Sequence, residues 1–207
     1  MVVPAIVFHE VAHGYSAYLL GDPTAKNAGR LTLNPLKHID LFGTVILPII
    51  LLIASGGAMS FGYAKPVPFN PMYFKDRGTG TLITGVAGPV ANLALAAVGG
   101  VALGLARLIG LGADVLSGTL LFLLDYFVVI NLMLLFFNMI PIPGLDGSRV
   151  VQRFLPPRAR LAYFKAERYT MLILFGAIYL MPGAVSAYLR YTVFPVYDLL
   201  TLGGGAF

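Results

Sequence analysis

Residues 1–20 read MVVPAIVFHEVAHGYSAYLL. The stretch is apolar almost throughout, yet it carries two of the three histidines of the chain, His9 and His13, with Glu10 between them. At 1.5 Å per residue, twenty residues in a helix span about 30 Å, the thickness of a bilayer core. The pattern therefore predicts a helix over 1–20. On such a helix His9 and His13 stack on one face, because residues four apart are neighbours at 3.6 residues per turn. Glu10 is rotated about 100° from His9, within reach of the same ion's surroundings. Ionisable groups at membrane depth cost at least ~2.5 kcal/mol each on insertion scales, so they are expected to carry function.

Composition places the rest of the chain in the same setting. Of 207 residues, 58% are hydrophobic and 11% charged, against roughly 25% charged in a soluble domain. Mean hydropathy is +0.84. These values exclude an ordinary soluble enzyme and indicate an all-α polytopic membrane protein forming a single domain over 1–207. The absence of cysteine excludes disulfides and thiolate metal sites, so any metal must be held by His, Asp or Glu. The net charge of +5 resides in loops between apolar segments. This is a positive-inside pattern rather than a nucleic-acid surface. No cleavable leader is expected, because the first apolar stretch itself holds the HEVAH group.

Further helices are expected over 81–110 and 119–140, with a span at 170–189 and a short helix at 191–202. The apolar segment 41–59 is interrupted by Pro48 and followed by glycines. The loops around Lys26–Lys37, Lys65–Arg77 and Arg149–Arg168 are basic. Placing all three in the cytoplasm requires 41–59 to be re-entrant. Alternation over Arg30–Asn34 and extended character over Tyr63–Phe69 predict short strands, the second at an edge because of Pro66 and Pro68. Either could pair with an extended peptide by strand addition.

A catalytic zinc needs a third protein ligand and one open position. Leu19 stands where the HExxHxxGxxH pattern requires its third histidine. The residues alone leave His38, Asp22, Asp40, Asp114, Asp125 and Asp146 as candidates. Asp146 follows a Pro-Ile-Pro-Gly break that would let its side chain turn back into a helix bundle.

Three motifs in order, HEVAHG, GPVAN and NMIPIPGLDG, resemble the site-2 protease family of intramembrane zinc metalloproteases. GDPTAKNAGRLTLNPLKHID and FGYAKPVPFNP are similar to its compact bacterial and archaeal members, which lack PDZ and CBS domains. The resemblance implies one zinc ion per chain, held by His9, His13 and Asp146, with Glu10 as the base that activates a water on the metal. It implies a three-helix catalytic core at 1–20, 81–110 and 119–146. It assigns Asn92 an active-site role, read here as a carboxamide donor to the oxyanion. Asn138, nearest the Pro-x-Pro turn, is a further candidate for contact with the substrate backbone. The implied partner is a membrane protein or membrane-inserted peptide within the bilayer of a bacterial or archaeal cell, with access from the cytoplasmic side and no nucleic acid. A membrane metal transporter or a non-catalytic zinc-binding scaffold is the alternative, and Glu10 argues against both, since neither needs a base beside its ligands.

Overall fold

The structure is a computed structural model that describes residues 1–54, 56–57, 62–112 and 114–203. The first helix, α1 (Val2–Leu19), is followed by the single-turn α2 (Thr24–Asn27). A π-helical stretch, Leu41–Ile46, leads into α3 (Leu47–Ala54). Pro48 has no N–H to offer the Thr44 carbonyl, and the turns before it are wound wide. Residues 55, 58 and 59 of the apolar 41–59 segment lie outside the described residues.

The long central helix α4 (Arg77–Leu108) and its neighbour α5 (Val115–Asn138) are both apolar and long enough to cross a membrane. They begin four residues before the expected 81 and 119. Their true starts are set by polar caps rather than by the first apolar residue. The Asp76 carboxylate accepts from the backbone N–H groups of Gly78 and Thr79, and Asp114 accepts from that of Ser117. Then follow α6 (Asp146–Phe154), α7 (Pro157–Ala166), α8 (Thr170–Leu180) and α9 (Pro182–Leu200). The span expected at 170–189 is thus two helices, and the break falls at Met181. Pro182 opens α9, where its fixed φ and missing N–H cost nothing.

The short strands do not form among the described residues. Pro66 and Pro68 remove ladder donors, and the remaining polar groups bind elsewhere. Lys65 N–H donates to His38 O, Tyr63 N–H donates to Gly43 O, and the Arg30 guanidinium donates to Lys65 O. Side-chain and isolated backbone bonds fix these segments in place of a sheet.

Helix α4 organises the bundle, packing on α1, α5, α6 and α9. Its buried stripe is built of small residues that admit close neighbours: at Gly99 an added Cβ would meet Phe127 and Val128 of α5, and at Gly100 it would meet Leu200 of α9. Ala96, Leu103, Val128, Leu132, Val193 and Tyr197 form the main apolar core. At the edge of that core Asp125 pairs with Arg107 at 3.2 Å and accepts from the Tyr197 hydroxyl, tying α9 to α4 and α5. The outward faces of α4 and α5 expose Val98, Leu105, Leu116 and Phe122. Apolar surface on this scale is stable in lipid and not in water.

Candidate metal centre

His9 and His13 lie on the buried face of α1, where it crosses α4. The third group comes from α6. Helix α5 ends at Asn138, the Pro141–Gly144 turn reverses the chain, and α6 starts at Asp146. Two glycines make that reversal. Gly144 adopts φ +91°, and an added Cβ on Gly147 would collide with the Met139 carbonyl. The core helix expected as 119–146 is therefore a helix, a turn and a new helix, and Asp146 sits in the first turn of the second.

His9 Nε2 lies 3.0 Å from Asp146 Oδ2, and His13 Nε2 lies 3.1 Å from the same oxygen. The two Nε2 atoms are 3.0 Å apart. All three residues are buried. Among the described residues this is the one His/Cys/Asp/Glu cluster able to hold a metal ion.

The opposite ring nitrogens reveal the tautomers. His13 Nδ1 lies 2.6 Å from the Thr84 carbonyl, which can only accept, so Nδ1 carries the proton. His9 Nδ1 lies 2.5 Å from Asn92 Oδ1. That amide is oriented by a relay: Asn92 Nδ2 donates to Asn131 Oδ1 at 2.9 Å and to Ala5 O at 3.3 Å, and Asn131 Nδ2 donates to Phe127 O at 2.8 Å. Asn92 Oδ1 is therefore an acceptor, and His9 Nδ1 also carries a proton. When both imidazoles are neutral, two Nε2 lone pairs and a carboxylate oxygen converge with no hydrogen between them. That donor set fits a cation, and His₂-carboxylate is a known catalytic zinc set.

The surroundings keep the space clear. A Cβ on Gly88 would stand 2.6 Å from His9 Nε2 and closer still to His13 Nε2. Arg149, one turn along α6, pairs with Asp146 Oδ1 at 3.2 Å and leaves Oδ2 to the imidazoles. Glu10 lies beside the cluster, half-buried. Its Oε2 accepts from the Val67 N–H at 2.8 Å.

The other residues singled out in the sequence lie elsewhere. Asn138 donates to Leu134 O, one turn back in α5. His38 is buried in the first loop with Nε2 at 2.9 Å from Thr32 O. Asp22 holds the backbone of Thr24 and Asn70, Asp40 caps the π-helical stretch, and Asp114 and Asp125 are engaged as described above. Sequence reasoning missed Arg149, although its spacing of three from Asp146 places both on one helix face. It also missed the Thr84 carbonyl, for which no side-chain pattern exists.

The model of peptidase family M50 matches residues 1–181. The chain is 39% identical over 83% of its length to YwhC of Bacillus subtilis (strain 168), covering 75% of that protein. It is 33% identical over 82% of its length to Rip2 of Mycolicibacterium smegmatis (strain ATCC 700084 / mc(2)155). It is 27% identical over 94% of its length to Rip2 of Mycobacterium tuberculosis (strain ATCC 35801 / TMC 107 / Erdman). All three are named as candidate zinc metalloproteases. The match covers 61% of the Mycolicibacterium protein and 70% of the Mycobacterium protein. No solved structure matches the chain. The chain belongs to peptidase family M50, the site-2 protease family of membrane-embedded zinc metalloproteases.

Proposed function

We propose that this chain is a multi-pass intramembrane endopeptidase that hydrolyses peptide bonds within or beside transmembrane segments, using one zinc ion held by His9 Nε2, His13 Nε2 and the Asp146 carboxylate. The observation that carries the assignment is the convergence of His9 Nε2 and His13 Nε2 on Asp146 Oδ2 within 3.1 Å. Bound there, zinc would supply Lewis acidity to a peptide carbonyl and ease the deprotonation of water.

Glu10 takes the proton from the attacking water and returns it to the departing amine nitrogen. Its bond to Val67 N–H fixes one carboxylate oxygen and leaves the other for this exchange. Asn92 positions His9. Both hydrogens of its carboxamide are spent on Ala5 and Asn131, which leaves none for an oxyanion. Asn138, turned back on its own helix, supports the end of α5.

The basic loops and the access to the site lie on the cytoplasmic side, and the segment that includes α3 is re-entrant. Its two flanks are bonded to each other: Tyr63 N–H to Gly43 O, Thr44 Oγ1 to Tyr63 O, and Lys65 N–H to His38 O. Such bonds favour a segment that leaves and returns on one side.

The test is Glu10→Gln in protein reconstituted into liposomes with a transmembrane peptide. Zinc content stays at the wild-type level and cleavage falls by roughly 10²–10⁴-fold, the usual contribution of a general base. Undiminished cleavage at full zinc occupancy overturns the mechanism.

A further inference from the structure

Outside the metal centre, a cavity of about 170 Å³ lies between the first turn of α4 and helices α6 and α7. Arg77, Arg149, Arg153 and Arg160 line it together with Gly78, Thr81 and Gln152. Among the described residues no carboxylate lines it. Three lie at its margins: Asp146 pairs with Arg149, Glu167 accepts from Gln152 Nε2 at 3.2 Å, and Asp76, whose carboxyl Thr79 and Gly78 hold below the usual aspartate range, also feels Arg153. Four guanidiniums against three carboxylates leave an excess of one positive charge, and Asp146 already belongs to the metal centre.

Arg77, Arg153 and Arg160 are exposed to solvent, and Arg149 is half-buried. Arg160 donates from Nε to Gln152 O at 3.0 Å and from Nη2 to Leu155 O at 3.3 Å. The Arg153 stem runs over α4, 3.4 Å from where a Gly78 Cβ would stand. The Arg149 stem lies against Gly85. The first N–H groups of α4 are already taken by Asp76, so an anion here would be bound by side chains. Guanidinium groups suit the oxygens of a phosphate group, which they can bind bidentately.

We propose that this pocket binds a phosphate group, and that its physiological source is the headgroup of an anionic phospholipid. The lipid source is argued from the flanks: Phe154 of α6 and Leu161 and Phe164 of α7 are exposed beside the arginines. Apolar side chains next to a basic cluster are the mark of a helix lying in the bilayer interface. A bound headgroup would also sit against Arg149, and so one residue from the metal centre.

The test uses the purified full chain in detergent, with thermal unfolding as readout at constant ionic strength. Dihexanoyl-phosphatidylglycerol, dihexanoyl-phosphatidylcholine and inorganic phosphate are titrated separately. Saturable stabilisation by the phosphatidylglycerol is expected, roughly 5–10 °C at a hundredfold excess over Kd, together with weakening at high salt. It should be lost in Arg77→Gln/Arg153→Gln. An equal, saturable and arginine-dependent rise with inorganic phosphate supports the pocket but overturns the lipid source. The pocket itself is overturned if neither anion stabilises, if phosphatidylcholine does so equally, or if the arginine variant responds as wild type does. Should that variant fold poorly, Thr81→Leu fills the cavity with all four charges kept, and a wild-type response from it is equally fatal. Zinc content serves as the control for folding.

Discussion

Asn92 Oδ1 accepts the Nδ1–H of His9 at 2.5 Å and thereby decides which nitrogen of His9 faces Asp146. The two residues are 83 positions apart, on different helices. Outer partners of this kind raise the basicity of a ligating histidine and fix its ring. Asn92→Leu is expected to weaken zinc binding by about 10–100-fold, measured by competition with a chelator. Asn92→Asp retains the acceptor and should recover most of the affinity. A leucine variant that binds zinc as tightly as wild type would remove Asn92 from the metal centre's support.

Gly88 makes a different prediction, because its role is to be absent. A methyl group there would overlap the two Nε2 atoms. Gly88→Ala should therefore lose zinc while keeping its helical content, since alanine is the better helix former by about 1 kcal/mol. Metal analysis alongside circular dichroism separates the two effects. Full zinc occupancy in the alanine variant would mean that α1 and α4 can part without cost, contrary to the packing described.

Much of this centre was legible in the sequence, and the illegible parts share a cause. The HEVAH spacing states its own geometry, because a helix fixes what residues four apart can do. Asp146 was one of several candidates on residue type alone and was singled out by the family motifs and by the Pro-Gly break before it. The Asn92–Asn131 relay and the Thr84 carbonyl left no pattern, since a contact between distant helices depends on their crossing and not on local spacing. The same holds for the missing strands. Alternation was present at Arg30–Asn34, but strand formation needs a partner ladder, and the donors of the facing segment were deleted by prolines or turned to Gly43, His38 and Glu10. Helix starts were misplaced for a local reason: Asp76 and Asp114 act one turn before the apolar pattern begins.

Asp76 gives a dependence on pH. Its carboxyl is held below the ordinary aspartate value, chiefly by the Thr79 hydroxyl and then by the backbone N–H groups of Thr79 and Gly78. The folded form thus favours the carboxylate. The cap's contribution is fully present above the unfolded aspartate pKa, about 3.9, and is lost as pH falls through the lower folded value. Thermal unfolding of wild type should show a decline below about pH 4 that is shallower in Asp76→Asn, whose side chain caps without titrating. Identical acid limbs in the two proteins would assign the decline to other carboxylates.

Val67 offers the sharpest test of the catalytic arrangement. It lies between Pro66 and Pro68, so its N–H is the one backbone donor in the tripeptide, and that donor goes to Glu10. A hydrogen bond to a charged group contributes about 1.5–3 kcal/mol, enough to hold a carboxylate in one orientation. The side chain has a separate role, packing in the tight space beside Gly14. Two substitutions divide these functions. Val67→Ala keeps the N–H and loses only packing. Val67→Pro loses the N–H as well. Relative to the alanine variant, kcat of the proline variant should fall about tenfold or more, with zinc content equal in both. Equal kcat in the two variants would show that Glu10 is oriented without Val67, and that the segment over the site serves only to cover it.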